Sequence, residues 1–109
     1  MNVIFLPKVL EYLDELVFIL FEKQYFSDLE SSIGYIDDLI DEIKRTLPIR
    51  SRKPAPLYFN KYGEGMYYAA FKKNRRTSWY AFFRIYEENG ERFYQVRYIA
   101  NNHTVAQHL

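Results

Sequence analysis

The chain contains no cysteine. That excludes disulfides, thiolate nucleophiles and cysteine metal sites, and it fits a reducing compartment. His103 and His108 are the only histidines, and most carboxylates lie in the first half, so no metal-ligand spacing emerges and neither a metal nor a cofactor is expected. With only four glycines, neither of the common phosphate-binding fingerprints can be written, and Gly63-Glu64-Gly65 reads as a turn. The most apolar run, Leu16 to Phe21, is far shorter than the roughly 20 residues that span a bilayer, and Asp14, Glu15 and Glu22 flank it closely. A basic start leading to a small-residue cleavage site is also missing. The expectation is a cytoplasmic protein with no membrane partner.

What is present suits one compact unit. The length of 109 residues predicts a single domain over 1–109. Apolar residues make up 49%, enough to argue for a core and against wholesale disorder. Eleven Tyr and nine Phe are more rings than such a core can hide, so some must occupy a surface that uses them. The net charge of +1 conceals a split: residues 1–46 carry four basic against ten acidic side chains, and residues 47–109 carry eleven against four. A basic half that also holds most of the tyrosines points to a polyanionic partner.

Val3 to Leu6 is a short β-type run, and Pro7 suits the first turn of a helix. Leu10, Leu13, Leu16 and Leu20 recur at helical spacing, with Val17 and Phe21 widening the stripe, which implies a helix covered on more than one side. Ser27 and Glu30 have capping-box spacing. Leu29, Ile33, Ile36, Ile40, Ile43 and Leu47 then define one apolar face, and Pro48 stops the helix. The short connection makes the two helices antiparallel neighbours. Asp37, Asp38, Asp41 and Glu42 fall off that face and read as a solvated surface. Residues 48–56 form a loop with Arg50, Arg52 and Lys53. Beyond it the period becomes two, and Leu57–Tyr62, Met66–Lys73, Ser78–Tyr86 and Arg92–Ala100 all read as strands. The predicted class is α+β: an N-terminal strand and an antiparallel helical hairpin packed on one face of an antiparallel sheet of about four strands.

Asn89-Gly90 is a strong two-residue hairpin signal. It sets Tyr86 opposite Phe93, Arg84 opposite Gln95, Phe82 opposite Arg97, Tyr80 opposite Ile99 and, further out, Arg76 opposite His103. The alternate face, Trp79, Ala81, Phe83, Ile85, Tyr94, Val96, Tyr98 and Ala100, is nearly all apolar and should pack on the helices. Arg76, Tyr80, Arg84, Tyr86, Gln95, Arg97 and His103 then look outward, beside Lys72, Lys73 and Arg75. Arginines among tyrosines suit single-stranded nucleic acid, which offers phosphates to cations and unpaired bases to rings. The plainer alternative is a solvated face whose arginine stems cover the rings. His103 has an imidazole suited to proton transfer. RNA cleavage needs such transfers and cations beside the transition state, roles open to Arg76, Arg84 and Arg97. Lys72, Lys73, Arg75, Tyr80, Tyr86, Asn102, Arg50, Arg52 and Lys53 are the candidate nucleic-acid contacts. His108, one residue from the end, reads as a fraying terminus.

The order of elements, with Tyr67-Tyr68, Trp79-Tyr80-Ala81-Phe82-Phe83 and the closing Val96-Arg97-Tyr98-Ile99-Ala100-Asn101-Asn102-His103, resembles the RelE/ParE toxin superfamily. The resemblance covers nearly the whole chain. It implies the toxin of a type II toxin–antitoxin pair: a metal-independent endoribonuclease that cleaves translated mRNA on the ribosome and is silenced by a cognate antitoxin. It places the closing active-site position at Asn102 and His103. The arginine that family members carry early in the penultimate strand has no counterpart between Trp79 and Ala81. A ParE-like toxin or RNA-binding module acting by binding alone stays open beside the nuclease, as does a homodimer built on the exposed tyrosines.

Overall fold

The computed structural model describes residues 2–109. Its elements are β1 (Asn2–Phe5), α1 (Pro7–Glu22), α2 (Leu29–Thr46), β2 (Lys53–Pro54), β3 (Tyr67–Lys72), β4 (Ser78–Glu88), β5 (Glu91–Asn101) and the one-turn helix α3 (Asn102–Val105). Short 3₁₀ segments occupy Leu47–Ile49, Leu57–Tyr62 and Ala106–His108. The class is α+β. The five strands form one mixed sheet in the order β1-β5-β4-β3-β2. All neighbours are antiparallel except β1, which runs parallel to β5 with Asn2 opposite Phe93 and Phe5 opposite Val96. No helix is long and apolar enough to cross a membrane.

Pro7 opens α1 where its missing N–H costs nothing. The helix buries one face, Val9, Leu13 and Leu16, and leaves Leu10, Phe18, Ile19 and Phe21 substantially exposed, so it is not covered on several sides. The cap of α2 lies one residue beyond the expected Ser27. Asp28 Oδ1 accepts from the Ser31 N–H at 2.7 Å, and that bond holds the Asp28 carboxyl below its ordinary range. The buried face of α2 is Ser32, Ile36, Leu39 and Ile43; Ile33 lies outside it and is exposed. Ser32 keeps its buried hydroxyl satisfied by donating to the Val17 carbonyl across the hairpin. These helical residues pack on Ala69, Phe71, Trp79, Ala81, Phe83, Tyr94, Val96 and Ile99 to make the main core. Each fully buried Leu, Ile or Phe there contributes roughly 1.5–3 kcal/mol from burial. Trp79 keeps its indole N–H bonded to the Tyr35 hydroxyl at 2.9 Å.

Two departures from the expected sheet decide where the candidate site lies. First, the β4–β5 register runs as expected from Glu88 opposite Glu91 to Phe83 opposite Val96, then shifts, so that Phe82 faces Tyr98 and Tyr80 faces Ala100. Arg97 is the extra residue of a β-bulge. Beyond it the faces exchange: Ile99 joins the helix-side core, while Tyr98 and Ala100 turn outward. Second, Leu57–Tyr62 is not a strand. It is a six-residue 3₁₀ strap after Pro56, and the edge strand is the two-residue β2. The strap lays Phe59 on the outer face of the sheet, where Phe59, Met66, Phe82, Ala100 and Val105 form a second core. The outer face is therefore half covered rather than open.

Candidate nucleic-acid interface

Ring stacking organises the covered part of the outer face. Phe59 is fully buried with its ring centroid 4.3 Å from that of Phe82. Tyr62 stacks on Tyr98 at 3.8 Å with planes 6° apart. Burial, then the neighbouring Tyr62 hydroxyl, push the Tyr98 phenol above its ordinary range. Tyr58 stacks on His108 at 3.5 Å and 5°, and Lys61 Nζ lies 4.2 Å from the Tyr58 centroid. His108 is thus half-buried and packed rather than fraying. A position one residue from the end carries no sequence sign of this packing; nor do Tyr58, Tyr62 and Tyr98, since Leu57–Tyr62 reads as a strand and the unbroken hairpin register turns Tyr98 toward the helices.

Arg97 sits where the strap meets the bulge. Its Nε donates to the Tyr62 carbonyl at 2.6 Å and its Nη1 to Gln95 Oε1 at 2.7 Å. Gln95 also accepts from the Tyr86 hydroxyl at 3.4 Å, and the Arg84 guanidinium lies 5.2 Å from the Tyr86 ring. Arg84, Tyr86, Gln95 and Arg97 are brought together, as expected from the hairpin. Arg97, however, is engaged as a brace between strap and sheet.

The β2–β3 side of the same face is open. A groove of about 690 Å³ runs there between Arg52, Lys53, Tyr68, Ala70, Tyr80 and the C-terminal Ala106 and Leu109. The Tyr68 and Tyr80 rings meet edge-on, centroids 6.0 Å apart, and Ala70 lines the groove with them. Strand alternation places the exposed Lys72 on this side, two residues beyond Ala70. Arg52 and Lys53 are exposed, and no carboxylate lies within ion-pair reach of either or of Lys72 among the described residues.

Other expected contacts are used internally. Arg50 donates to Glu42 at 2.8 Å and to the Ala70 carbonyl at 3.0 Å, and its guanidinium lies 4.1 Å over Phe71. Lys73 reaches the same Glu42 at 3.4 Å. The Asn102 side chain accepts from the Ser78 N–H and donates to the Arg76 carbonyl, both at 3.0 Å, tying α3 to the β3–β4 turn. These three are structural ties. Arg75 and Arg76 remain exposed at the tip of that turn.

The strand pairing that would set His103 beside Arg76 on the outer face does not form. β5 ends at Asn101, whose side chain caps α3 by accepting from the Thr104 N–H at 3.2 Å. One helical turn sends Val105 into the outer core and leaves His103 lining a separate cavity on the helix side, with Tyr12, Tyr35 and Trp79. Arg76, Arg84, Arg97 and His103 therefore do not converge. Among the described residues no three His, Asp or Glu side chains gather as a metal site would require. Comparison with protein-family models, with curated proteins and with solved structures finds no match for this chain.

Tyr68 and Tyr80 are half-buried, Tyr68 stacking on Phe82 at 5.5 Å, and cations beside such rings can hold phosphates and stack unpaired bases without metal.

Proposed function

We propose that the chain is a toxin of the RelE/ParE type that engages single-stranded message through the outer face of its sheet and stops translation by cleaving it. The observation that carries the proposal is the open groove, where Tyr68 and Tyr80 lie beside Arg52, whose guanidinium is 5.3 Å from the Tyr67 ring, and Lys53, neither with an ion-pair partner among the described residues. The element order adds support: a strand, a helical hairpin and an antiparallel run of strands. In this reading the two rings stack on bases, and Arg52, Lys53 and Lys72 contact phosphates. Arg84 lies further along the same face. His108, which shares that face with the groove, is the imidazole available to move a proton there; His103 is on the other side. A cognate antitoxin would silence the protein by covering the groove with an acidic segment.

One observation favours a second reading, action by binding alone: the braced Arg97 and the stacked His108 are both committed to packing. The test is a cell-free translation reaction with wild type, His103→Ala, His108→Ala and the double variant Arg52→Ala/Lys53→Ala, followed by primer extension on the message. Discrete breaks that disappear with His108→Ala and with the double variant, but persist with His103→Ala, support cleavage on this face. Arrest with intact message supports binding alone. Undisturbed translation refutes both.

A further inference from the structure

The helix-side cavity has a different character from the groove, and nothing in the proposed function uses it. It encloses about 410 Å³ between the far end of the helical hairpin, the β3–β4 turn and the start of α3. That lies within the range of roughly 300–1,000 Å³ seen for small-ligand pockets. Its walls are ring-rich: Tyr12, Phe26, Tyr35 and the indole of Trp79. Its rim holds Lys23 and His103, and no Asp or Glu lines it, although the helices on which it is built are strongly acidic elsewhere. A lining without carboxylates suits an anionic occupant.

Its polar atoms point the same way. Asn101 and Asn74 use their side-chain oxygens on local backbone N–H groups, Asn101 on Thr104 and Asn74 on Arg76 and Thr77. Their amide NH2 groups are left as donors. Among the described residues the Tyr12 hydroxyl and the His103 ring have no hydrogen-bond partner within the chain either, while the Trp79 indole N–H donates to the Tyr35 hydroxyl. Asn74 and Thr77 line the cavity, and the two residues between them, Arg75 and Arg76, are exposed and have no ion-pair partner among the described residues. A ring-walled space with amide, imidazole and phenol hydrogen-bonding groups therefore opens beside Lys23 and next to the turn that carries Arg75 and Arg76.

We infer that this cavity binds a nucleotide unit, its base between the aromatic walls and its phosphate at Lys23 and the Arg75-Arg76 turn. Rings stack any base, the amides and imidazole meet its polar edge, and the cations meet the phosphate. The unit is either a free mononucleotide or an unpaired nucleotide of an RNA strand, and the chemistry is the same for both.

Trp79 is the only tryptophan, so its fluorescence reports on the cavity directly. The full chain is titrated with AMP, UMP, ribose 5-phosphate and inorganic phosphate, and binding of labelled AMP and UMP is measured in parallel by equilibrium dialysis. The expected result is saturable binding of AMP, UMP or both, with ribose 5-phosphate and phosphate much weaker. Lys23→Glu, at an exposed site, should weaken binding at least about tenfold, a loss of about 1.4 kcal/mol, and His103→Ala should also weaken it. Arg52→Glu, on the opposite face, should retain mononucleotide affinity even where it abolishes binding of RNA to the groove, so the two sites fail separately. A short unpaired oligoribonucleotide giving the same Lys23-dependent signal more tightly than a mononucleotide identifies a strand as the source; a signal from mononucleotides alone identifies the free nucleotide. The inference is overturned if neither method detects saturable mononucleotide binding up to millimolar concentration, if ribose 5-phosphate binds as well as AMP and UMP, or if Lys23→Glu leaves affinity unchanged.

Discussion

Phe59→Ala tests whether the outer face is covered. Phe59 is the only buried residue of the strap, and it is fully buried. Its ring lies on Phe82 at 4.3 Å, edge-on to Tyr58 at 5.0 Å and near Tyr98 at 6.4 Å. The cluster it anchors has only four other buried members, Met66, Phe82, Ala100 and Val105, and no other strap side chain can replace it. Removing a buried Phe costs roughly 3–5 kcal/mol in transfer and cavity terms. Against a total stability of roughly 5–15 kcal/mol for a domain, that is a large fraction. The melting temperature should fall by roughly 10–25 °C. Phe59→Leu, which nearly keeps the volume, should cost less than about 1.5 kcal/mol. Urea unfolding followed by circular dichroism measures both. A Phe59→Ala loss below about 1 kcal/mol, with an unchanged denaturant slope, would mean that the strap does not pack and the outer face is open, and the reasoning fails.

Three further outcomes are expected. Gly63 has φ +145°, and a Cβ there would stand 2.5 Å from Arg97 Nε, so Gly63→Ala should cost roughly 1–3 kcal/mol of backbone strain and should release the Arg97–Tyr62 bond, read as a changed Arg97 Nε–H resonance. In RNA-binding titrations Arg52→Ala and Lys53→Ala should each lower the salt slope by about 0.7 for a single strand, whereas Tyr80→Ala should cost roughly 1–3 kcal/mol of stacking and leave the slope alone. Asp28 has a folded pKa lowered chiefly by the Ser31 N–H, so its contribution is present at neutral pH and is lost as pH falls through the carboxylate range; thermal melts of wild type and Asp28→Ala should differ at pH 7 and converge at strongly acidic pH.

The helical hairpin, the Asn89-Gly90 turn and the first half of the β4–β5 register were legible because each rests on a local signal. The bulge was not. Around it the residues run Val96-Arg97-Tyr98-Ile99-Ala100, and apart from Arg97 either face could accept them. An apolar face that includes Trp79 is blind to a slip beyond Arg97, because Trp79 belongs to β4 and keeps its face either way. Leu57–Tyr62 reads as a strand through its aromatic content. Pro56, just before the segment, fits the start of a 3₁₀ turn equally well, and only the apolar patch of Phe82 and Ala100 beneath it decides between them. Nothing local marks that patch, because an unbroken hairpin register sets Arg97 opposite Phe82 and turns Ala100 toward the helices. His103 was misplaced for the same reason, since its expected position extended the register past the bulge. The excess of tyrosines was resolved by stacking, Tyr62 on Tyr98 and Tyr58 on His108.

The charge split acquires a location once the engaged cations are set aside. Arg50 and Lys73 are held by Glu42, Arg92 by Glu87, and Arg97 by Gln95 and the strap. The residues that remain include Arg52, Lys53, Lys72, Arg75 and Arg76, and these follow one path. Lys53 stands opposite Tyr68 at the start of β3, Lys72 ends that strand, and Arg75 and Arg76 cap the turn beyond it. Tyr68 and Lys72 lie four strand steps apart, roughly 13 Å. The groove with Tyr68 and Tyr80 opens along this edge, and the ring-walled cavity opens at the turn where the path ends. A single strand held by the edge cations would arrive with its next nucleotide at the mouth of that cavity. Lys72→Glu lies between the two sites and touches neither set of rings. It should therefore weaken a short oligoribonucleotide while leaving mononucleotide binding at Trp79 intact; equal loss of both would place Lys72 at the cavity itself and break the proposed path.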